Sequence, residues 1–139
     1  MAIEQTFAII KPDAVASGHT GAILSMIEAA GFKIRGLKMM RLSKQQGEAF
    51  YAVHKERGFF SGLVSFMTEG HVVAMVLERE DAIKQWRELM GATNPEKATE
   101  GTIRKRFAQN IERNAAHGSD APETANIEIP FFFSASELI

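Results

Sequence analysis

Six apolar residues in a row, Val72-Val73-Ala74-Met75-Val76-Leu77, constrain the fold of this chain more than any other stretch. A strand that is apolar at every position has both of its faces covered, so this run predicts a central strand. Thr6 to Ile10 is a shorter β-branched and apolar run of the same kind, and it stops at Lys11-Pro12. A residue before proline is pushed from the helical region toward extended geometry. Lys11 is therefore expected at the exit of that strand, with its ammonium pointing off the sheet end. Ile34 to Leu42 reads as a third strand, with Gly36 a candidate bulge.

Helical spacing fills the intervals. Ile23, Met26, Ile27 and Ala30 recur at helical period from about Thr20, and Gly31 suits the position after the helix. Ser43-Lys44-Gln45-Gln46 is a capping box that opens a helix through Ala49, Phe50 and Val53. Phe60, Leu63, Val64 and Met67 predict a second short helix closed by Gly70. Asp81 is the expected cap of a helix that carries Ile83, Trp86 and Met90 inward. Periodicity is lost from Gly91 to Gly101, a loop long enough to suggest function. Ile103 and Phe107 give a short helical stretch, with Ile111 beyond. Asp120, Pro122 and Glu123 read as the start of a helix running to about Ile129, followed by a tail with Phe131 to Phe133.

The order is strand, helix, strand, helices, strand, helix, loop, short strand, helix. That is a βαββαβ plan with extra helices: an α+β, ferredoxin-like sandwich whose four-stranded antiparallel sheet carries its helices on one side, with an extra C-terminal segment. No internal domain boundary or repeat interrupts the 139 residues, so 1–139 is read as a single domain. The net charge of −1 provides no global field to recruit nucleic acid or a membrane surface, so any anion site must come from local placement of Lys and Arg. The absence of cysteine excludes disulfides and thiolate metal sites. The N-terminal apolar run is too short for a signal peptide, and no stretch approaches a membrane span. A cytoplasmic protein is the expectation.

The stretch Asn114-Ala115-Ala116-His117-Gly118-Ser119-Asp120 concentrates the chemistry. It is small and polar, centred on one imidazole, and expected at the end of an extended segment just before a helix, where an anion is welcome. His117 has three readings: a hydrogen-bonded surface residue, a general base, or a nucleophile that attacks a γ-phosphorus. The last needs a partner on its other ring nitrogen, for which Glu128 on the next helix is a candidate, and cations around the transferred group. No Walker or Rossmann glycine loop is present, so phosphate would have to be held by side chains. Lys11, Arg87, Thr93 and Arg104 are the candidates, drawn from four separate stretches. Arg57-Gly58-Phe59-Phe60 begins like an RNA-binding sheet motif, but the residues after it are helix-periodic. Phe60 has the phase of the core, which leaves Phe59 outside as a stacking face for a base. The histidines show no metal-ligand spacing.

These residues resemble the nucleoside diphosphate kinase family. The resemblance rests on N-A-A-H-G-S-D together with I-I-K-P-D-A-V, F-Y-A-V-H-K-E-R-G-F-F-S-G-L-V-S-F-M, G-A-T-N-P and G-T-I-R-K-R-F, which occur in the family's order and span nearly the whole chain. It implies ping-pong transfer of the γ-phosphoryl of a nucleoside triphosphate, mainly ATP, to a nucleoside diphosphate through a phosphohistidine at His117. In that scheme Glu128 holds the imidazole, and Ser119 supports the carboxylate or the phosphohistidine pocket. Lys11 and Tyr51 donate to the transferred group. Arg87 and Thr93 hold the distal phosphates with Arg104 beside them. Asn114 and Lys11 meet the ribose, and Phe59 and Ile111 sandwich the base. Mg2+ arrives on the nucleotide's phosphates, so few or no protein ligands are implied. The resemblance further implies broad base tolerance, with no specific nucleic acid as partner. It also implies a homo-oligomer, a tetramer or hexamer built from dimers. The chain departs from the family's usual pattern at Gly58, His71, Arg79, Glu100 and Ala121, none of which has an assigned catalytic role.

Overall fold

The computed structural model describes residues 3–139. Its centre is one antiparallel sheet of four strands in the order β2-β3-β1-β4, formed by β1 (Ile3–Ile10), β2 (Lys33–Arg41), β3 (His71–Glu80) and β4 (Ala116–Gly118). The helices are α1 (Pro12–Ala16), α2 (Thr20–Ala29), α3 (Lys44–Phe50), α4 (Phe60–Thr68), α5 (Ala82–Met90), α6 (Ile103–Phe107) and α7 (Pro122–Phe132). This is the ferredoxin-like order expected from the sequence, and β3 lies inside the sheet between β1 and β2 as its unbroken apolar run requires. Among the described residues no helix is long and apolar enough to cross a membrane.

Helices cover both faces of the sheet, not one. Alternation along the two central strands produces two cores. On one face Ala8, Ile10, Val73, Met75 and Leu77 pack with Ile23 and Ile27 of α2 and Trp86 and Met90 of α5. On the other, Phe7, Ile9, Val72, Ala74 and Val76 pack with Tyr51, Phe66, Met67, Phe132 and Phe133. Complete burial of a side chain such as Ile9 or Met75 contributes about 1.5–3 kcal/mol, so these two layers dominate what holds the sheet.

Several local expectations hold in detail. Ser43 accepts from the Gln46 N–H at 3.1 Å while the Gln46 side chain accepts from the Ser43 N–H at 2.9 Å, completing the capping box. The register of β2 against β3 shifts between Ile34 and Gly36, at the expected bulge. A Cβ on Gly36 would stand 3.0 Å from the Phe133 ring, so the C-terminal segment packs closely over that position.

Four local expectations also need correction. The helix from Ser43 ends at Phe50, and Val53 is exposed in a separate 3-10 turn over Ala52–His54. Asp81 precedes α5 but sits in the left-handed region at φ 57° and makes no side-chain cap; Glu4 of β1 reaches across and accepts from the Ile83 N–H at 2.9 Å. Asp120 does not cap α7 either, since Ala121 occupies that position and the Asp120 carboxylate accepts from Arg87. Finally, α7 runs through Pro130 to Phe132, so the expected tail begins inside a helix.

Candidate active site

The short strand β4 places His117. It pairs with β1 so that His117 lies opposite Ile9, and directly opposed residues share a face. The imidazole therefore projects on the Phe7 and Ile9 side, where Phe50 and Tyr51 meet it edge-on with ring centroids 5.5 and 6.4 Å away. Gly118 turns to the opposite face, where Trp86 fills the space a Cβ would need: the nearest ring atom would be 2.4 Å away. The same indole donates from Nε1 to the His117 carbonyl at 3.1 Å. The histidine backbone is thus pinned from behind by a fully buried tryptophan.

Its side chain is oriented from the other end. Nε2 of His117 lies 3.3 Å from both carboxylate oxygens of Glu128, in the second turn of α7. Ser119 Oγ donates to Glu128 Oε1 at 2.7 Å, which fixes the carboxylate. Nδ1 makes no hydrogen bond among the described residues. The side chain keeps 19% of its accessibility, enough to be reached from solvent. An imidazole with one nitrogen held and the other free in a partly open place suits nucleophilic or basic work and does not suit a core role.

Positive charge lines the residues just before it. Lys11 follows the last residue of β1, is buried, and donates from Nζ to Asn114 Oδ1 at 2.9 Å. Burial first, and then the Arg104 guanidinium, bring its pKa from 10.5 down to about 8 against the opposing pull of Asp13. Arg104, on α6, donates to three carbonyls: Asn114 at 3.3 Å, Gly91 at 3.0 Å and Ala116 at 2.9 Å. Burial, with a smaller contribution from Arg87, lowers its pKa to about 10. Lys11, Arg104 and Arg87 therefore form a chain of like charges. Such a group raises a positive potential that the fold does not fully cancel, and a polyanion would cancel it. Arg87 pairs with Asp120 at 2.8 Å, an exposed ion pair of little value to stability.

Tyr51 completes the wall. Its ring is buried, and its hydroxyl is buried without a hydrogen-bond partner. Burial, reinforced by the Glu128 charge, pushes its pKa up, so the hydroxyl keeps its proton and remains a donor in want of an acceptor.

The remaining candidates are less tightly joined. Asn114 donates from Nδ2 to the carbonyl of Ile111, which brings Ile111 to the edge of the group with its side chain half-exposed. Phe59 stands just before α4, half-exposed, against His54 and Arg57 and without a contact to the His117 group. Thr93 is exposed on the loop after α5. A cavity of about 730 Å³ is lined by Arg87, Gly91, Thr102 and Asp120, among others, and does not include His117 or Lys11. Sequence reasoning missed Trp86 as the backbone anchor of His117. It also missed Asp13, whose carboxylate accepts from the Ala115 N–H at 3.1 Å. The adjacency of Asp13 to Lys11-Pro12 was the available signal.

Comparison with known proteins places the whole chain in one family. The family model described as nucleoside diphosphate kinase matches residues 4–138. A protein named nucleoside diphosphate kinase from Maricaulis maris (strain MCS10) is 63% identical over 139 residues, covering 100% of this chain and 99% of that one. Another of that name, from Trichlorobacter lovleyi (strain ATCC BAA-1151 / DSM 17278 / SZ), is 60% identical over 137 residues, with 99% of each covered. Among solved structures, the Aquifex aeolicus nucleoside diphosphate kinase superposes with a TM-score of 0.97 at 47% identity, covering 99% of this chain and 100% of that one. The nucleoside diphosphate kinase from Halobacterium salinarum, solved in complex with CDP, gives 0.95 at 42% identity, covering 99% and 92%. From the sheet order, the site and these likenesses together, the chain belongs to the nucleoside diphosphate kinase family and is a phosphotransferase.

Proposed function

We propose that the chain transfers the γ-phosphoryl of a nucleoside triphosphate, mainly ATP, to a nucleoside diphosphate in two half-reactions through His117. The observation that carries this reading is the chain Ser119–Glu128–His117, which holds Nε2 and leaves Nδ1 without a partner among the described residues, while Asn114 and Ala116, just before His117, are held by Lys11 and Arg104. In the first half-reaction the Nδ1 lone pair forms a bond to the γ-phosphorus, and the bond from that phosphorus to the β–γ bridging oxygen breaks. The nucleoside diphosphate leaves with that electron pair. In the second, a terminal phosphate oxygen of another diphosphate attacks the same phosphorus and the N–P bond breaks. Glu128 stabilises the positive charge that develops on the imidazole.

Phosphoryl transfer depends mostly on positioning and charge, and each residue has a place in that work. Lys11 and the Tyr51 hydroxyl donate to the transferred group, and Arg104, Arg87 and Thr93 hold the more distal phosphates. Asn114 and Lys11 bind the ribose. Phe59 and Ile111 take the faces of the base, and stacking without edge recognition makes purines and pyrimidines acceptable. Mg2+ enters with the nucleotide as part of the substrate. The single-domain chain acts as a homo-oligomer in the cytoplasm. Incubation with γ-labelled ATP is expected to give an acid-labile, base-stable phosphoprotein that GDP discharges. A His117→Ala variant that still carried the label would overturn the assignment.

A further inference from the structure

The turn before His117 is strained, and the strain is held from outside it. Ala115 has φ 75°, a left-handed conformation that a residue with a Cβ rarely adopts. The Ala116 N–H donates to the Asn114 carbonyl at 2.9 Å, closing a three-residue γ-turn around Ala115. Both backbone polar groups of Ala115 are captured by one segment. Its carbonyl accepts from the Lys11 N–H at 2.8 Å, and its N–H donates to Asp13 Oδ2 at 3.1 Å.

Asp13 is an expensive residue for the fold. It is 3% exposed, and its second oxygen, Oδ1, is buried with no partner. Its charge acts on Lys11, which bonds the turn's central carbonyl, and on Arg113, which precedes the turn. We infer that Asp13 is a positioning residue: by gripping the Ala115 N–H it keeps the chain in the γ-turn, and the turn sets Asn114, Lys11 and His117 at their working separations. Asn114 and Ala116, on either side of Ala115, are the residues whose carbonyls Arg104 holds. Release of Ala115 would therefore disturb the cationic wall and the imidazole together. The inference rests on the phosphohistidine reading above and adds to it a residue that touches no substrate.

The test exploits glycine, which takes φ 75° without strain and needs no clamp. The rate of phosphoenzyme formation is measured in a single turnover at saturating γ-labelled ATP. Asp13→Ala is expected to slow it about 10-fold or more, since small displacements of reacting groups cost up to about 100-fold. Made in an Ala115→Gly background, the same change is expected to slow it less than about 3-fold, because the two residues act as one unit. Asp13→Asn, whose amide oxygen can accept the Ala115 N–H, is expected to stay within about 3-fold of the parent, as a preserved positioning bond should. If Asp13→Ala alone does not fold, the double variant decides. A folded double variant that forms phosphoenzyme near the Ala115→Gly rate supports the clamp, and one that also fails to fold refutes it. An equal loss in both backgrounds, or no loss in either, also refutes it. Failure of the parent protein to form phosphoenzyme would overturn the underlying reading and the clamp with it, whereas a labelled parent with uncoupled variants overturns the clamp alone.

Discussion

Lys11 works against the stability of its own fold, and the size of that effect comes from its surroundings. Burial and the Arg104 charge bring its pKa from 10.5 to about 8 despite the opposing pull of Asp13. The unfolded chain therefore binds the proton more tightly, and stability rises with pH across the window from about 8 to 10.5. Below that window, holding the charge inside the folded protein costs about 3 kcal/mol, the free-energy equivalent of the pKa change. Lys11→Met removes the charge and keeps the stem. It also removes the bond to Asn114 Oδ1, worth about 1 kcal/mol. The variant is accordingly expected to be more stable than the parent by about 2 kcal/mol at pH 7, while phosphoryl transfer falls by a factor of about 100 or more. Urea unfolding at fixed protein concentration, at intervals from about pH 7 to 10.5, gives the difference between the two proteins. That difference should shrink as the pH rises above about 8, because the parent is then relieved of the charge. In kinetics, kcat/KM of the parent should fall on the alkaline side with an apparent pKa near 8, and kcat should fall at higher pH, since bound polyphosphate favours the charged lysine. A variant less stable than the parent at pH 7, or a difference that does not change with pH, would refute the reasoning.

Other residues give sharper single outcomes. Tyr51→Phe removes a buried hydroxyl that has no partner, so thermal unfolding should show no loss of stability while kcat falls about 10-fold. Ser119→Ala removes the 2.7 Å bond to Glu128, a charge-assisted contact worth about 1.5–3 kcal/mol, and steady-state kinetics should show kcat reduced about 10-fold or more with KM little changed. Gly118→Ala puts a methyl 2.4 Å from the Trp86 ring, and a melting experiment should show destabilisation of about 1–3 kcal/mol or more from overpacking behind His117.

How much of this fold is legible in the sequence depends on the range of the forces involved. The strand over Val72–Leu77, the capping box at Ser43 and the bulge near Gly36 are specified by residues within a few positions of each other. The failures share a cause, which is that a distant residue outcompetes a local one. Glu4 takes the helix start that Asp81 is placed to cap, and Arg87 takes the carboxylate of Asp120. Helices on both faces are implicit in a strand with no polar face, yet the linear order alone points to one. In the site, His117 is legible because an imidazole stands out in such a small-residue stretch, and Lys11 because the proline after it marks the exit of the first strand. The Trp86 anchor and the Asp13 grip are not, because one acts through a backbone carbonyl and the other through a backbone N–H. Groups of that kind leave little mark on composition or spacing, and for Asp13 the one trace is its place beside Lys11-Pro12.

Arg104 has one further implication. A guanidinium carries five N–H groups, and here the carbonyls of Gly91, Asn114 and Ala116 occupy one on each of its nitrogens. The unspent pair, one on Nη1 and one on Nη2, has no partner among the described residues and is held in place by the other three bonds. The electrostatic floor is thus finished when the polypeptide finishes folding, so an anion arriving there would meet a preset stencil, with little further ordering left to drive on that side.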